Sequence, residues 1–132
     1  MDHLTQDQLA RLKERLERER ATLLRREDDQ RADVARTGAL DVGDQQDLAA
    51  VEAAQVTQLR LADHDRARLR EIEAALQRMQ EGTYGICEDT DEPIPFARLW
   101  AEPTARLTVE AQELREREAK EEAEEEDLRA AY

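Results

Sequence analysis

The sequence predicts a mostly α protein: a long antiparallel coiled-coil helical hairpin, then a small globular knob and a C-terminal helix. Three observations predict it. Charged residues make up 40% of the 132 residues and aromatics only 3%, too few large apolar side chains for one compact core of this size. The abundant residues are Ala, Leu, Glu, Arg and Gln, which are strong helix formers. All three prolines, with the single Phe and the single Trp, fall between Pro93 and Pro103, so irregular structure is concentrated there. The expected organisation is a hairpin over residues 1–81, with its tip near 37–47, and a knob plus acidic helix over 82–132.

The first helix is expected from residue 5 to about 36. Thr5 is placed to cap it, with Gln8 as the capping-box partner. Leu9, Leu12, Leu16 and Leu23 form one stripe, the buried edge of an otherwise charged helix. After Leu24 the run RREDDQRADVAR is almost entirely polar. Gly38 and Gly43 then bracket a short apolar pair, as in the connection of a helical hairpin.

The second helix is expected from 44 to about 81. Leu48, Val51, Leu59, Ala62, Leu69, Ile72, Leu76 and Met79 lie on or near one seam, and the last four keep coiled-coil spacing. Gln55, Gln58 and Asp65 interrupt it, and such polar breaks lower stability but can fix register. Paired, the two helices would make a rod about 45–50 Å long. In the knob, Ile86, Ile94, Phe96, Leu99, Trp100 and Leu107 are the expected core. The last helix is expected from Pro103, with Thr108 as an alternative cap, and its acidic end should fray.

The net charge of −13 opposes binding to nucleic acid backbones and anionic membranes. No apolar run is long enough for a membrane span, and the first residues lack a signal-peptide core, so a cytoplasmic location is expected. The lone Cys87 can neither close an intramolecular disulfide nor build a thiolate zinc site by itself. No nucleophile–base set, phosphate loop or metal cluster points to an enzyme. Asp44 and Asp47 suit the start of a helix, where carboxylates satisfy free N–H groups and meet the positive end of the dipole.

The stretch GTYGICEDTDEPIPFARLWAEPTARL, Gly82 to Leu107, resembles the zinc-finger region of the DksA/TraR family. There a glycine-aromatic-glycine turn leads into a first Cys, a short hairpin ends in R-L-x-A-x-P-T, and a second Cys pair follows. Tyr84, Gly85, Cys87, Ile94, Arg98, Leu99, Ala101, Pro103 and Thr104 carry the likeness. Upstream, Asp44, Asp47 and Ala49 resemble the family's Asp-x-x-Asp-x-Ala motif at the hairpin tip.

The resemblance implies a fold with a zinc-finger-like knob, and a partner, RNA polymerase. In the family the tip enters the secondary channel near the catalytic Mg²⁺ and alters initiation by population shift. It also implies roles by position. Arg98 would brace the knob against the rod or touch the polymerase rim. The four zinc positions fall on Cys87, Thr90, Thr108 and Ala111, three of them without a thiolate. His3 and His64, distant in sequence, do not restore the set, so no zinc is expected. The positions of the family's ppGpp-binding basic cluster read His64, Glu71, Glu102 and Gln112, so ppGpp co-action is not expected there; Arg66, Arg68 and Arg70 could supply charge from a shifted register. A monomer without sequence-specific DNA binding is expected. The alternative, from another class, is a coiled-coil scaffold protein that has lost polymerase regulation.

Overall fold

In a computed structural model of the chain, residues 1–39 and 48–132 are described, with 37–39 as backbone only. The elements are α1 (Gln6–Ala39), α2 (Leu48–Glu81), α3 (Phe96–Ala101) and α4 (Val109–Ala131). Most of the expected tip, including Asp44 and Asp47, lies outside the described residues. Among the described residues, extended pairing is limited to one antiparallel bridge, Ile86–Pro93.

The chain forms two compact units: Met1–Leu12 with Gln77–Tyr132, and Lys13–Leu76. The N-terminal residues, expected with the hairpin, therefore group with the knob. Leu4 is buried, His3 Nε2 donates to the Ile94 carbonyl at 2.7 Å, and both side chains close on Gly85.

α1 begins with the expected capping box. The Gln8 N–H donates to Thr5 Oγ1 and the Thr5 N–H to Gln8 Oε1, each at 3.0 Å. Two donors that the first turn leaves without backbone partners are thus satisfied reciprocally. α2 ends at Gly82, whose φ of +79° is open to glycine at little cost. The Thr83 N–H reaches back to the Arg78 carbonyl at 3.0 Å, the six-to-one bond of a Schellman stop.

In the unit Lys13–Leu76 the two helices run antiparallel: Glu19 and Arg20 meet Arg68 and Glu73, while Arg26 further along α1 meets the earlier Asp65. Leu16, Leu23, Ile72 and Ala75 are buried. Beyond this point the expected seam is not closed. Leu48 is 45% exposed and Leu59 66%, contrary to expectation. The facing part of α1 is the polar run after Leu24, so α2's apolar residues have nothing to bury against. Asp65, expected to interrupt the seam, is instead buried within it at 9% exposure and paired with Arg26.

The knob's core also differs. Ile94 and Leu99 are fully buried as expected, and Ile86, Phe96 and Leu107 are half-buried. Trp100 is 45% exposed: α3 is a single six-residue helix with one inward face, and Trp100 stacks on Phe96 with ring centroids 6.0 Å apart. Tyr84 and Cys87 fill the interior instead. α4 starts at Val109 rather than Pro103, capped by Thr108, because the Pro103 carbonyl accepts from Tyr84 Oη at 2.8 Å and is committed to the knob.

The uneven seam predicts uneven mutational costs. Leu16→Ala should cost about 2–5 kcal/mol, as for a fully buried leucine, whereas Leu59→Ala should stay within about 0.5 kcal/mol. Urea unfolding followed by circular dichroism measures both, and comparable losses would contradict the exposed assignment of Leu59.

Candidate functional site

Two loci carry candidate residues: the sequence joining α1 to α2, and the knob. Of the first, only Ala49 is described; it is exposed in the opening turn of α2. Asp44 and Asp47 lie outside the described residues.

In the knob, Gly85 and Cys87 open a tight reversal. The Cys87 N–H donates to the Glu92 carbonyl at 2.8 Å, the Asp91 N–H to the Cys87 carbonyl at 3.0 Å, and the Ile94 N–H to the Gly85 carbonyl at 2.7 Å. Asp91 closes the turn with φ +58°, a left-handed conformation that Asp tolerates better than most residues. Gly85 combines φ +79° with close neighbours. A Cβ there would meet His3 and Leu4 at 3.3 Å, so the position excludes larger residues on both grounds.

This reversal brings two of the zinc-equivalent positions, Thr90 and Thr108, to the sulfur of Cys87, while the fourth, Ala111, lies buried in the first turn of α4. Cys87 is fully buried. The Thr108 N–H points at Sγ from 3.5 Å and Thr108 Oγ1 lies 3.9 Å from it. Thr108 Oγ1 also accepts from the Ala111 N–H at 3.3 Å, capping α4. Burial pushes the Cys87 thiol up, but the Thr90 hydroxyl and the N–H groups of Thr108, Thr90 and Asp89 outweigh it and bring the pKa to about 7. Donors converging on sulfur favour the thiolate.

The residues present do not fit a four-coordinate structural zinc. Such a site needs four thiolate or imidazole donors in a tetrahedron; here one thiol is joined by two hydroxyls and a methyl. His3, remote in sequence, does lie in the same unit, but its ring nitrogen is bonded to Ile94. No group of three or more His, Cys, Asp or Glu able to hold a metal occurs among the described residues.

Polar ties brace the same locus. Arg115 Nε donates to Asp89 Oδ2 at 2.6 Å, and Arg115 Nη2 to Oδ1, joining α4 to the reversal and holding Asp89 below the usual carboxylate range. Arg106 pairs with Glu88 at 3.1 Å. Arg98 Nη2 donates to Gln112 Oε1, so within this unit Arg98 ties α3 to α4. None of these ties was anticipated. Each joins residues at least 14 apart in sequence, beyond the range of any periodic pattern.

The ppGpp-equivalent positions carry no basic cluster. His64 and Glu71 are exposed on α2, as is Gln112 on α4; Glu102 accepts from Thr104 Oγ1 at 2.8 Å. Arg68 is engaged by Glu19 at 2.7 Å and Glu71 at 3.6 Å, and Arg66 by Asp63 at 3.6 Å. No described helix is long and apolar enough to cross a membrane.

Comparison with known proteins agrees with this geometry. Residues 82–117 match the prokaryotic dksA/traR C4-type zinc finger. The RNA polymerase-binding transcription factor DksA of Caulobacter vibrioides is 39% identical over 119 residues, 89% of this chain and 76% of that protein. DksA of Salmonella typhimurium is 31% identical over 115 residues, 87% of this chain and 76% of its own length. The structure of transcription factor DksA2 from Pseudomonas aeruginosa aligns with a TM-score of 0.77 at 33% identity, over 87% of this chain and 88% of that one. The likeness thus extends well beyond the finger, through both long helices, and the chain belongs to the DksA/TraR family.

Proposed function

We propose that this protein binds RNA polymerase directly and regulates initiation, with Asp44 and Asp47 delivered into the polymerase secondary channel. It does so without zinc and with little help from ppGpp at the family's site. The observation that carries the reading is the antiparallel pairing of α1 and α2, with Asp44, Asp47 and Ala49 in and just after the sequence that joins them. Relatives named as RNA polymerase-binding factors, matched over most of both chains, supply the partner.

A 34-residue helix is about 50 Å long and about 10–12 Å across, so a pair of them can reach deep into a passage that excludes globular domains. Carboxylates brought near a bound cation and mobile elements bind one polymerase state better than another and shift their populations. The factor makes and breaks no bond, so it is not an enzyme. Its net charge of −13 disfavours direct DNA contact.

The acids should be separable from the scaffold. Asp44→Asn with Asp47→Asn should leave the unfolding midpoint unchanged and polymerase affinity within about twofold, about 0.4 kcal/mol, while abolishing the change in promoter-complex lifetime. Retention of that change in the double variant would defeat the reading.

Purified protein should carry far less than one zinc per chain by elemental analysis, and chelators should leave its unfolding curve unmoved. Because Thr90 and Thr108 already reach the Cys87 sulfur and Ala111 follows Thr108 by one turn of α4, Thr90→Cys, Thr108→Cys and Ala111→Cys together should create a site that takes up one zinc. Stoichiometric zinc in the unaltered protein would refute zinc independence. In transcription assays from a ribosomal promoter, ppGpp should change the factor's effect by less than about twofold, since glutamates repel a polyphosphate; strong synergy that is lost on replacing Glu102 and Gln112 would overturn this.

A further inference from the structure

We infer that the hairpin opens locally: its outer segments, residues 31–36 of α1 and 52–61 of α2, unfold and refold on their own while the inner seam stays closed. A helix in a protein is held by contact with its neighbours and by its own helical preference, of which contact is usually the larger part. Here contact thins first. The helices share a small cleft where Leu23, Glu27 and Gln30 of α1 meet Ala62, Asp65 and Leu69 of α2. The ion pairs Glu19–Arg68, Arg20–Glu73 and Arg26–Asp65 cross from helix to helix, and all of them use α1 up to Arg26 and α2 from Asp65 onward. Farther out, every side chain from 31 to 36 and from 52 to 61 is exposed. The pairs Arg31–Glu27 and Arg36–Asp33, and the bond from Thr57 Oγ1 to the Ala53 carbonyl, each stay within one helix. Continuing the antiparallel pairing that sets Leu23 by Leu69 brings Val34 level with Gln58, an apolar side chain against an amide, and Val34 is 69% exposed.

Helical preference does not make up the difference. The outer segment of α1 reads RADVAR, in which Asp33 and Val34 are weak helix formers. Asp33 also stands towards the C-terminal end of α1, where a carboxylate meets the negative end of the dipole. The outer segment of α2, EAAQVTQLRL, is a better helix former, but it too is shorter than the roughly 12–15 residues at which an isolated helix becomes marginal in water. Both segments extend helices that are already nucleated, so each added residue changes the free energy little in either direction. The inner half is different. Leu16, Leu23, Ile72 and Ala75 are buried there, and opening it would expose the seam. The boundary between the two regimes falls near Gln30 and Ala62. On the function proposed above, and resting on it, the fully extended hairpin is completed on the polymerase, whose channel supplies the contact that the chain itself lacks. Part of the binding energy is then used to order these segments.

Hydrogen–deuterium exchange on the full chain reads the opening. Amides of 31–36 and 52–61 should show protection at least about 100-fold below those of 16–23 and 68–76, which exchange only when the seam opens. Equal protection along each helix overturns the inference. Gln30→Leu, Gln55→Leu and Gln58→Leu together supply the missing apolar side chains. Leucine and glutamine have nearly equal helix propensity, so the change reads contact alone. Protection of 52–61 should rise at least about tenfold, and no rise overturns the inference as well. Should that variant aggregate, Leu59→Ala decides. A side chain without packing leaves the protection of 52–61 within about threefold, and a larger loss shows a closed outer seam and overturns the inference. Exchange repeated on the complex with core RNA polymerase is a separate arm, in which 52–61 should slow at least about tenfold. Fast exchange retained in the complex, or no complex at all, sinks the polymerase reading while the local opening stands.

Discussion

The pairing of α1 with α2 depends on a very narrow strip of apolar contact. In the unit Lys13–Leu76 it is made by Leu16, Leu23, Ile72 and Ala75, and most of the remaining positions are charged or exposed. Its register is held where the first helix begins: Leu12 is fully buried and His3 and Leu4 close on Gly85, so sliding α1 by a heptad would set Glu19 in the place of Leu12 and draw these residues out of their contacts. Asp65 sits at the other end of the buried strip, where a carboxylate costs stability unless it is paired, and Arg26 supplies the partner.

In the knob the same economy takes another form. In metal-bound domains of this size, zinc can contribute on the order of 10–16 kcal/mol of folding free energy, and the thiolates that would hold it are absent at three of four positions. Their replacements are not idle. Thr108 caps α4 through Ala111 and directs its N–H at the Cys87 sulfur, while Thr90 lends a hydroxyl to that sulfur. Tyr84, Ile94 and Leu99 fill the interior around them, and Arg115 with Arg106 clamps the reversal from outside. Each link is individually small, with a hydrogen bond contributing about 0.5–1.5 kcal/mol net, so the knob relies on many weak ties where a metal would concentrate the stabilisation in one place.

Much of this fold was legible in the sequence, and the failures have a common cause. The capping box at Thr5 and Gln8 was readable because both partners are three residues apart, and the buried Leu12, Leu16 and Leu23 because a helix displays its periodicity locally. Leu48 and Leu59 belong to an equally good stripe, yet they are exposed, because periodicity on one helix says nothing about what the opposite helix offers. Trp100 looked like core by size, but a helix of six residues cannot turn Phe96, Leu99 and Trp100 all inward, and Tyr84 with its bond to Pro103 took the interior. Pro103 looked like a helix start for the same local reasons, and its carbonyl was claimed from a distance. The approach of Thr90 and Thr108 to Cys87 was legible only through family resemblance, since nothing in hydroxyls at those spacings announces a site.

The charge pattern joins these observations to function. A net charge of −13 spread over 33 acids and 20 bases is not a uniform field. On α1 and α2 many opposite charges lie three or four residues apart, as in Asp7–Arg11, Glu14–Arg18 and Glu27–Arg31, so these faces are internally compensated. Compensation lets a helix pair remain well solvated on its outer faces while presenting little net field along its sides. On the proposed reading, that is the property required of an element that must enter a confined, charged passage. Side faces bearing strong uncompensated charge would bind or be repelled at the entrance, whereas compensated ones pass and leave discrimination to the few acids carried at the end.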